Sequence, residues 1–301
     1  MVRLLFTFLI LLISAESIYG QYYSRRWKKE RLEYHIGLGG SNFLGDLGGK
    51  DAIGTNDFQD LEMSQTRFSI STGLRYRWKP RVYVNTIFTY GKLSGRDNLT
   101  QEFFRSYRNL SFKTDIYELT VNGEYALIRE SLGHRYRLMG VRGRRGYDYS
   151  FYVFAGIGVF HFDPKAKLDG TWYRLKPLST EGQGIVEGRK EYKLTQLCLP
   201  VGFGMRYAFN RKLGIGFRYG IRKTFTDYID DVSTSYVDPQ VLLEEKGPIS
   251  VAFADRSNQE FPYITKPGEQ RGDPRDKDSY MFFEFSISYK LVTKDWRIPL
   301  F

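Results

Sequence analysis

Leu197-Cys198-Leu199-Pro200-Val201-Gly202-Phe203-Gly204-Met205-Arg206-Tyr207-Ala208-Phe209 places a large apolar residue at every second position. Cys198, Pro200, Gly202, Gly204, Arg206 and Ala208 stand between them, small or charged. A period of two puts the two sets on opposite faces of a strand. In a water-soluble sheet the apolar face would rest on a covered core. Here the alternation recurs in segment after segment, and no helical periodicity supplies a cover. The economical solution closes the sheet on itself, with apolar residues facing lipid and polar ones facing a narrow lumen. The expected fold is all-β, a transmembrane antiparallel β-barrel.

Working outward from this stretch, eight segments fit barrel strands: Glu33–Leu44, Thr66–Trp78, Arg81–Leu93, Asp115–Ile128, Tyr149–Phe162, the opening segment, Lys212–Phe225 and Tyr280–Leu291. Most alternate cleanly. Lys212–Phe225, for example, sets Leu213, Ile215, Phe217, Tyr219 and Ile221 against Gly214, Gly216, Arg218, Gly220 and Arg222. Tyr149–Phe162 is apolar on both faces. The aromatic content of 17% suits a barrel ringed by Tyr, Trp and Phe at two interfaces. A negative mean hydropathy is no objection, because alternating strands and polar loops dilute the signal.

Connection lengths orient the chain. Trp78–Arg81 and Phe209–Lys212 read as tight turns, whereas Gly45–Gln65, Ser94–Arg108, Pro164–Lys190 and Thr226–Ser279 are long. Short turns are periplasmic and long loops extracellular in barrels of this class. An even strand number then puts both termini in the periplasm. Arg129–Asp148 breaks the pattern, being long on the periplasmic side.

Charge sorts by the same division. Asp46, Asp51, Asp57, Asp60 and Glu62 crowd the first outer loop, and Asp227, Asp230, Asp231, Asp238, Glu244 and Glu245 the last. The periplasmic pieces are basic, including Arg25, Arg26, Lys28, Lys29 and Arg31 before the first strand. Arg135, Arg137, Arg142, Arg144 and Arg145 lie in the irregular connection. Much of the formal +11 charge therefore sits on one face. That face can attract lipid phosphates or dock an acidic periplasmic partner. An exported barrel makes nucleic acid an improbable partner.

The start of the chain fits export. Arg3 precedes an apolar run from Leu4 to Ile13, followed by small residues, which is the layout of a secretory signal peptide. Cleavage after Ser17 or Gly20 fits. The expected organisation is a signal peptide at 1–20, a periplasmic segment at 21–32, the barrel at 33–291 and an extension at 292–301. Cys198 is the only cysteine, so no disulfide framework is possible.

The inward-facing set carries Arg75, Glu118, Glu124, Arg206, Arg218, Arg222 and Glu284. An eight-stranded barrel is only wide enough for its side chains. These charges are expected to pair across the interior, since unpaired ones would be costly. His35, His134 and His161 are the only histidines available as near-neutral bases. No nucleophile elbow, phosphate loop or metal spacing accompanies them. Asp227, Asp230 and Asp231 lack the alternation and glycine of a calcium loop and read as a solvated loop face. No cofactor, metal or small-molecule substrate is indicated.

Several stretches together resemble one family. They include Gly39-Gly40-Ser41-Asn42-Phe43-Leu44-Gly45-Asp46-Leu47, Tyr90-Gly91-Lys92-Leu93-Ser94-Gly95 and Phe160-His161-Phe162-Asp163-Pro164-Lys165-Ala166. The most specific is Arg222-Lys223-Thr224-Phe225-Thr226-Asp227-Tyr228-Ile229-Asp230-Asp231-Val232-Ser233. The chain resembles the PorG outer-membrane β-barrels of the type IX secretion system. That resemblance implies a non-enzymatic barrel in the cell outer membrane. It also implies association with a PorK-like lipoprotein and PorN-like ring subunits, a role in protein secretion and, in some bacteria, a link to gliding motility. It carries over no catalytic or ligand-binding residue. The competing expectations are a small lipid-modifying barrel enzyme and an outer-facing adhesion barrel.

Overall fold

The computed structural model describes residues 30–45, 47, 65–99, 102–130, 148–210 and 212–291. Its strands are β1 (Leu32–Leu44), β2 (Arg67–Arg77), β3 (Val82–Arg96), β4 (Ser111–Ile128), β5 (Tyr149–His161), β6 (Lys165–Leu168), β7 (Thr171–Arg174), β8 (Thr195–Ala208), β9 (Leu213–Thr224) and β10 (Ser279–Leu291). Eight of these run in the order β3-β2-β1-β10-β9-β8-β5-β4, and a β3–β4 pairing joins the ends. All eight ladders are antiparallel. The result is a closed eight-stranded barrel with no free edge. β6 and β7 form a hairpin attached to β4 through Lys113 and Lys165.

The two faces predicted for the opening stretch are realised on β8. Its outer residues Leu197, Leu199, Val201, Phe203, Met205 and Tyr207, with Phe209 beyond it, are 40–63% exposed. Cys198, Arg206 and Ala208 face inward and are buried. An apolar exterior around a closed ladder satisfies every backbone group without water, as a bilayer requires. The strands, 11 to 18 residues long, exceed the roughly 9–11 residues needed to cross. Exposed Trp78, Tyr149, Tyr207 and Tyr289 ring one end, and Phe68 and Phe225 project near the other.

Both chain ends of the barrel lie together, with Leu32 opposite Leu291. The tight turns share that end. Trp78 and Lys79 donate backbone bonds to Val82 across the first. At the second, the Asn210 Oδ1 accepts from the backbone N–H groups of Lys212 and Leu213 at 2.8 Å. The connection holding Arg135, Arg137, Arg142, Arg144, Arg145 and His134 starts here, but those residues lie outside the described ones, as do Asp46, Asp51, Asp57, Asp60 and Glu62.

The opposite end carries the long connections. They contribute α1 (Phe103–Arg108), α2 (Pro239–Lys246) and α3 (Pro248–Ala254). The largest apolar core also sits at this end. Phe43, Leu93, Phe112, Ile116, Phe160 and Phe282 from the strands pack with Leu47, Leu110, Phe162, Ile229, Val232 and Phe253 from the loops. The loops therefore form a folded cap whose apolar underside stops the lumen.

The apolar inner face of β5 has a specific counterpart. A Cβ on Gly202 would stand 2.8 Å from Cζ of Phe154, and one on Gly220 would stand 2.6 Å from it. Glycine on β8 and β9 thus makes the room that the Phe154 ring occupies.

Candidate functional site

Glu33, Arg75, Glu118, Glu124, Arg206, Arg218, Arg222 and Glu284 are all buried, at most 8% exposed. These are four carboxylates and four guanidinium groups, so the interior charge balances. Near the turn end, Arg75 Nε donates to Glu124 at 2.5 Å, and Asn85 Nδ2 donates to the other oxygen at 2.7 Å. Glu33 lies 3.9 Å from Arg75 and accepts from Arg206. The Arg75 guanidinium lies 3.7 Å from the Tyr83 ring centroid, a geometry favourable for a desolvated cation.

Further toward the loops, Arg222 donates to Glu118 at 3.2 Å, and the Tyr280 hydroxyl donates to the same carboxylate at 2.8 Å. Arg218 and Glu284 depart from the predicted cross-lumen pairing, although they are register partners. Glu284 accepts from the Ser71 hydroxyl at 2.5 Å. Arg218 instead lays its guanidinium 3.8 Å from the Phe154 centroid and hydrogen-bonds to no described residue. Its long side chain prefers the aromatic face that the flanking glycines expose.

Glu33 and His35 also belong to this interior; Glu33 was not among the sequence candidates, and His35 was considered only as a near-neutral base. His35 Nε2 lies 3.0 Å from Asn85 Oδ1. Both residues occupy inward positions that alternate with exposed Tyr34, Ile36 and Leu38, so the alternation on β1 was signal enough. His161 points outward, with Nδ1 3.0 Å from Thr195 Oγ1. No carboxylate accompanies its ring among these contacts, and no group of metal-ligating residues occurs among the described residues.

The cap overturns one reading. Asp227, Asp230 and Asp231 do not form a solvated face; they are 1–3% exposed. Asp230 accepts from the Leu47 and Val232 backbone N–H groups at 3.1 and 3.0 Å. Asp231 accepts from the Thr180 and Tyr192 hydroxyls, each at 2.6 Å. Asp227 accepts from Ser233 Oγ at 2.7 Å. These bonds tie the 225–278 connection to the first and third long loops. A long loop with its own apolar residues can enclose its carboxylates once backbone and hydroxyl donors satisfy them.

Two arginines complete the cap. Arg271 donates to Glu181 and to the Asp231 carbonyl, both at 2.9 Å. Arg108 donates to both Asp97 oxygens at 2.8 and 3.0 Å and to the Arg271 carbonyl. Burial raises the Asp231 carboxyl to about 6, against the opposing pull of the Arg271 charge and its two hydroxyl donors. The same burial, next to Asp231, holds the Tyr192 phenol well above its ordinary range. The arrangement is a structural clamp.

A family described as a domain of unknown function, DUF6089, matches residues 4–242. No curated protein matches the chain. Among solved structures, Neisserial surface protein A is similar at a TM-score of 0.38 and 9% identity, over 86% of this chain and 97% of that one. The attachment invasion locus protein Ail of Yersinia pestis gives 0.36 and 11%, over 87% and 99%. The outer membrane protein OprG of Pseudomonas aeruginosa gives 0.33 and 8%, over 88% and 98%.

Proposed function

This chain belongs to the DUF6089 family, and we propose that it is a non-enzymatic outer-membrane component of the type IX protein secretion machinery. In this reading it anchors or assembles a PorK-like lipoprotein and PorN-like ring subunits at the periplasmic face. The observation that carries the reading is the filled barrel. Four guanidinium groups and four carboxylates are buried inside it, and an apolar plug closes the loop end. A lumen so occupied offers no route for folded cargo, which moves function to the two ends. The basic residues concentrated at the turn end supply complementarity for an acidic partner, and the PorG-like stretches supply its class.

The test is charge reversal at Arg142, Arg144 and Arg145 together. Co-purification of the ring subunits with the barrel should fall, and the barrel should still insert in the outer membrane. Undiminished co-purification would refute docking through this segment. Secretion that continues normally in cells lacking the whole protein would refute the secretion role itself.

A further inference from the structure

Beyond the ring-anchoring role, the loop end holds a chamber that none of the barrel pairings uses. α1, Gly45 and the 236–276 part of the last loop border a half-open cavity of about 550 Å³, within the roughly 300–1,000 Å³ typical of small-ligand sites. Tyr236 lines its wall and is 4% exposed. A tyrosine hydroxyl on such a wall is both a donor and an acceptor.

The rim is aromatic. Phe104 and Tyr263 line the cavity and remain 61% and 58% exposed. Neither ring is a loose appendage. Phe104 packs edge-on against Phe103 and Tyr263 against Phe261, with centroids 5.6 and 6.1 Å apart. The Tyr107 hydroxyl accepts from the Phe261 backbone N–H at 2.7 Å, binding α1 to the opposite wall. Two large rings are thus held in place with much of their surface open.

The charges on the lining select the ligand class. Glu102, Glu269, Asp273 and Asp276 supply carboxylates, and Arg105, Arg108 and Arg271 supply guanidinium groups. Arg108 and Arg271 are paired with Asp97 and Glu181, Glu102 accepts from the backbone N–H groups of Phe104 and Arg105, and Asp273 accepts from that of Arg275. A polyanion would meet the carboxylates, and a polycation would meet the guanidinium groups. Hydroxyl groups both donate and accept, so a neutral polyhydroxyl ligand suits both signs, the Gln270 amide and the Tyr236 hydroxyl. The C–H faces of sugar rings also match the electron-rich faces of Phe104 and Tyr263. We propose that this chamber is a binding site for a neutral oligosaccharide.

The experiment applies the full detergent-solubilised chain to an array of α- and β-linked neutral hexose and N-acetylhexosamine oligosaccharides. Hexalysine and a sulfated oligosaccharide serve as charged competitors. At least one neutral glycan should be retained and should show saturation transfer from aromatic protons. Phe104→Ala and Tyr263→Ala, both at exposed positions, should each weaken retention by about tenfold. Tyr236→Phe removes only the hydroxyl and should weaken it several-fold, with protease resistance of the cap unchanged. Retention of no neutral glycan overturns the proposal. So does retention indifferent to both ring substitutions, or stronger binding of either charged competitor to this chamber.

Discussion

Arg271 Nη1 donates to Glu181 Oε1 across 2.9 Å, joining residues 90 positions apart in the chain. The pair is 3% and 0% exposed at its side chains, and each partner is saturated by further bonds. Glu181 also accepts from the backbone N–H groups of Ser233 and Thr234 and from the Thr234 hydroxyl, at 2.7–3.0 Å. Arg271 also donates to the Ala254 carbonyl at 3.1 Å. One ion pair therefore holds the third long loop, the Asp231 segment and the end of α3 together.

Removing one member of such a pair leaves a buried charge without its counterion, at a cost of about 3–5 kcal/mol. Arg271→Leu should therefore loosen the cap. Limited proteolysis should reveal new cleavage between residues 225 and 278, while the barrel keeps its heat-modifiable migration on gels. The double variant Arg271→Leu/Glu181→Leu should lose less than the sum of the single changes, because no orphan charge remains. Additive losses would show that the pair does not act as a unit.

Asp231 gives the cap a pH dependence of definite sign. Its carboxyl is raised to about 6 in the folded protein, from an ordinary value of 3.8. The folded state therefore holds this proton more tightly than the unfolded state does. The Asp231 contribution to cap stability should be full below about pH 4, fall as pH rises through 6, and be lost above 7. The total change is roughly 3 kcal/mol from the linkage of a two-unit shift. Asp231→Asn should flatten this slope in denaturant titrations of cap protease resistance between pH 4 and 8. An unchanged slope would assign the dependence to other groups.

The barrel was legible because its strands impose one rule on every residue. Arg75, Glu124, Arg206 and Arg222 could be placed inside from period two alone, since an error of one position would expose all of them to lipid. Arg218 and Glu284 were placed on the correct face but not with the correct partners. Their choice between each other, Phe154 and Ser71 depends on side-chain geometry across several strands. The cap had no such rule. The Asp227, Asp230 and Asp231 cluster looked like an ordinary solvent-facing loop, and nothing local announced that Thr180, Tyr192 and Leu47 would converge on it. Asp97 and Arg108 were likewise invisible as a pair, since α1 is a single short helix in a loop.

The glycines facing Phe154 should tolerate no side chain. A Cβ on Gly220 falls 2.6 Å from the ring, too close for the ring to accept without moving. Its movement would disturb Arg218, which lies on that ring. Gly220→Val should destabilise the barrel by about 1–3 kcal/mol, the usual cost of overpacking, seen as a lower urea midpoint for refolding into liposomes. Gly220→Val combined with Phe154→Leu should recover part of the loss. A double variant no more stable than Gly220→Val alone would place the strain elsewhere, in the strand backbone.

The same interior sets an expectation for transport. A conducting lumen needs a continuous aqueous path, yet the described interior is crossed by Arg75–Glu124 near the turn end and Arg222–Glu118 nearer the loops. Each link is buried and desolvated, and the Tyr280 hydroxyl closes on Glu118 from a third strand. Beyond them lies the apolar plug containing Phe43, Phe112 and Phe160, which disfavours ions independently of the charges. Purified barrel in planar bilayers should therefore show no large, stable single-channel conductance at neutral pH. Arg222→Met and Glu118→Gln should not open one either, because the apolar layer remains. Loss of the cap through Arg271→Leu is the change most able to raise conductance, by loosening the loops that supply Ile229, Val232 and Phe253 to the plug. A porin-like conductance from the unmodified chain would contradict both the sealed lumen and the placement of function at the barrel ends.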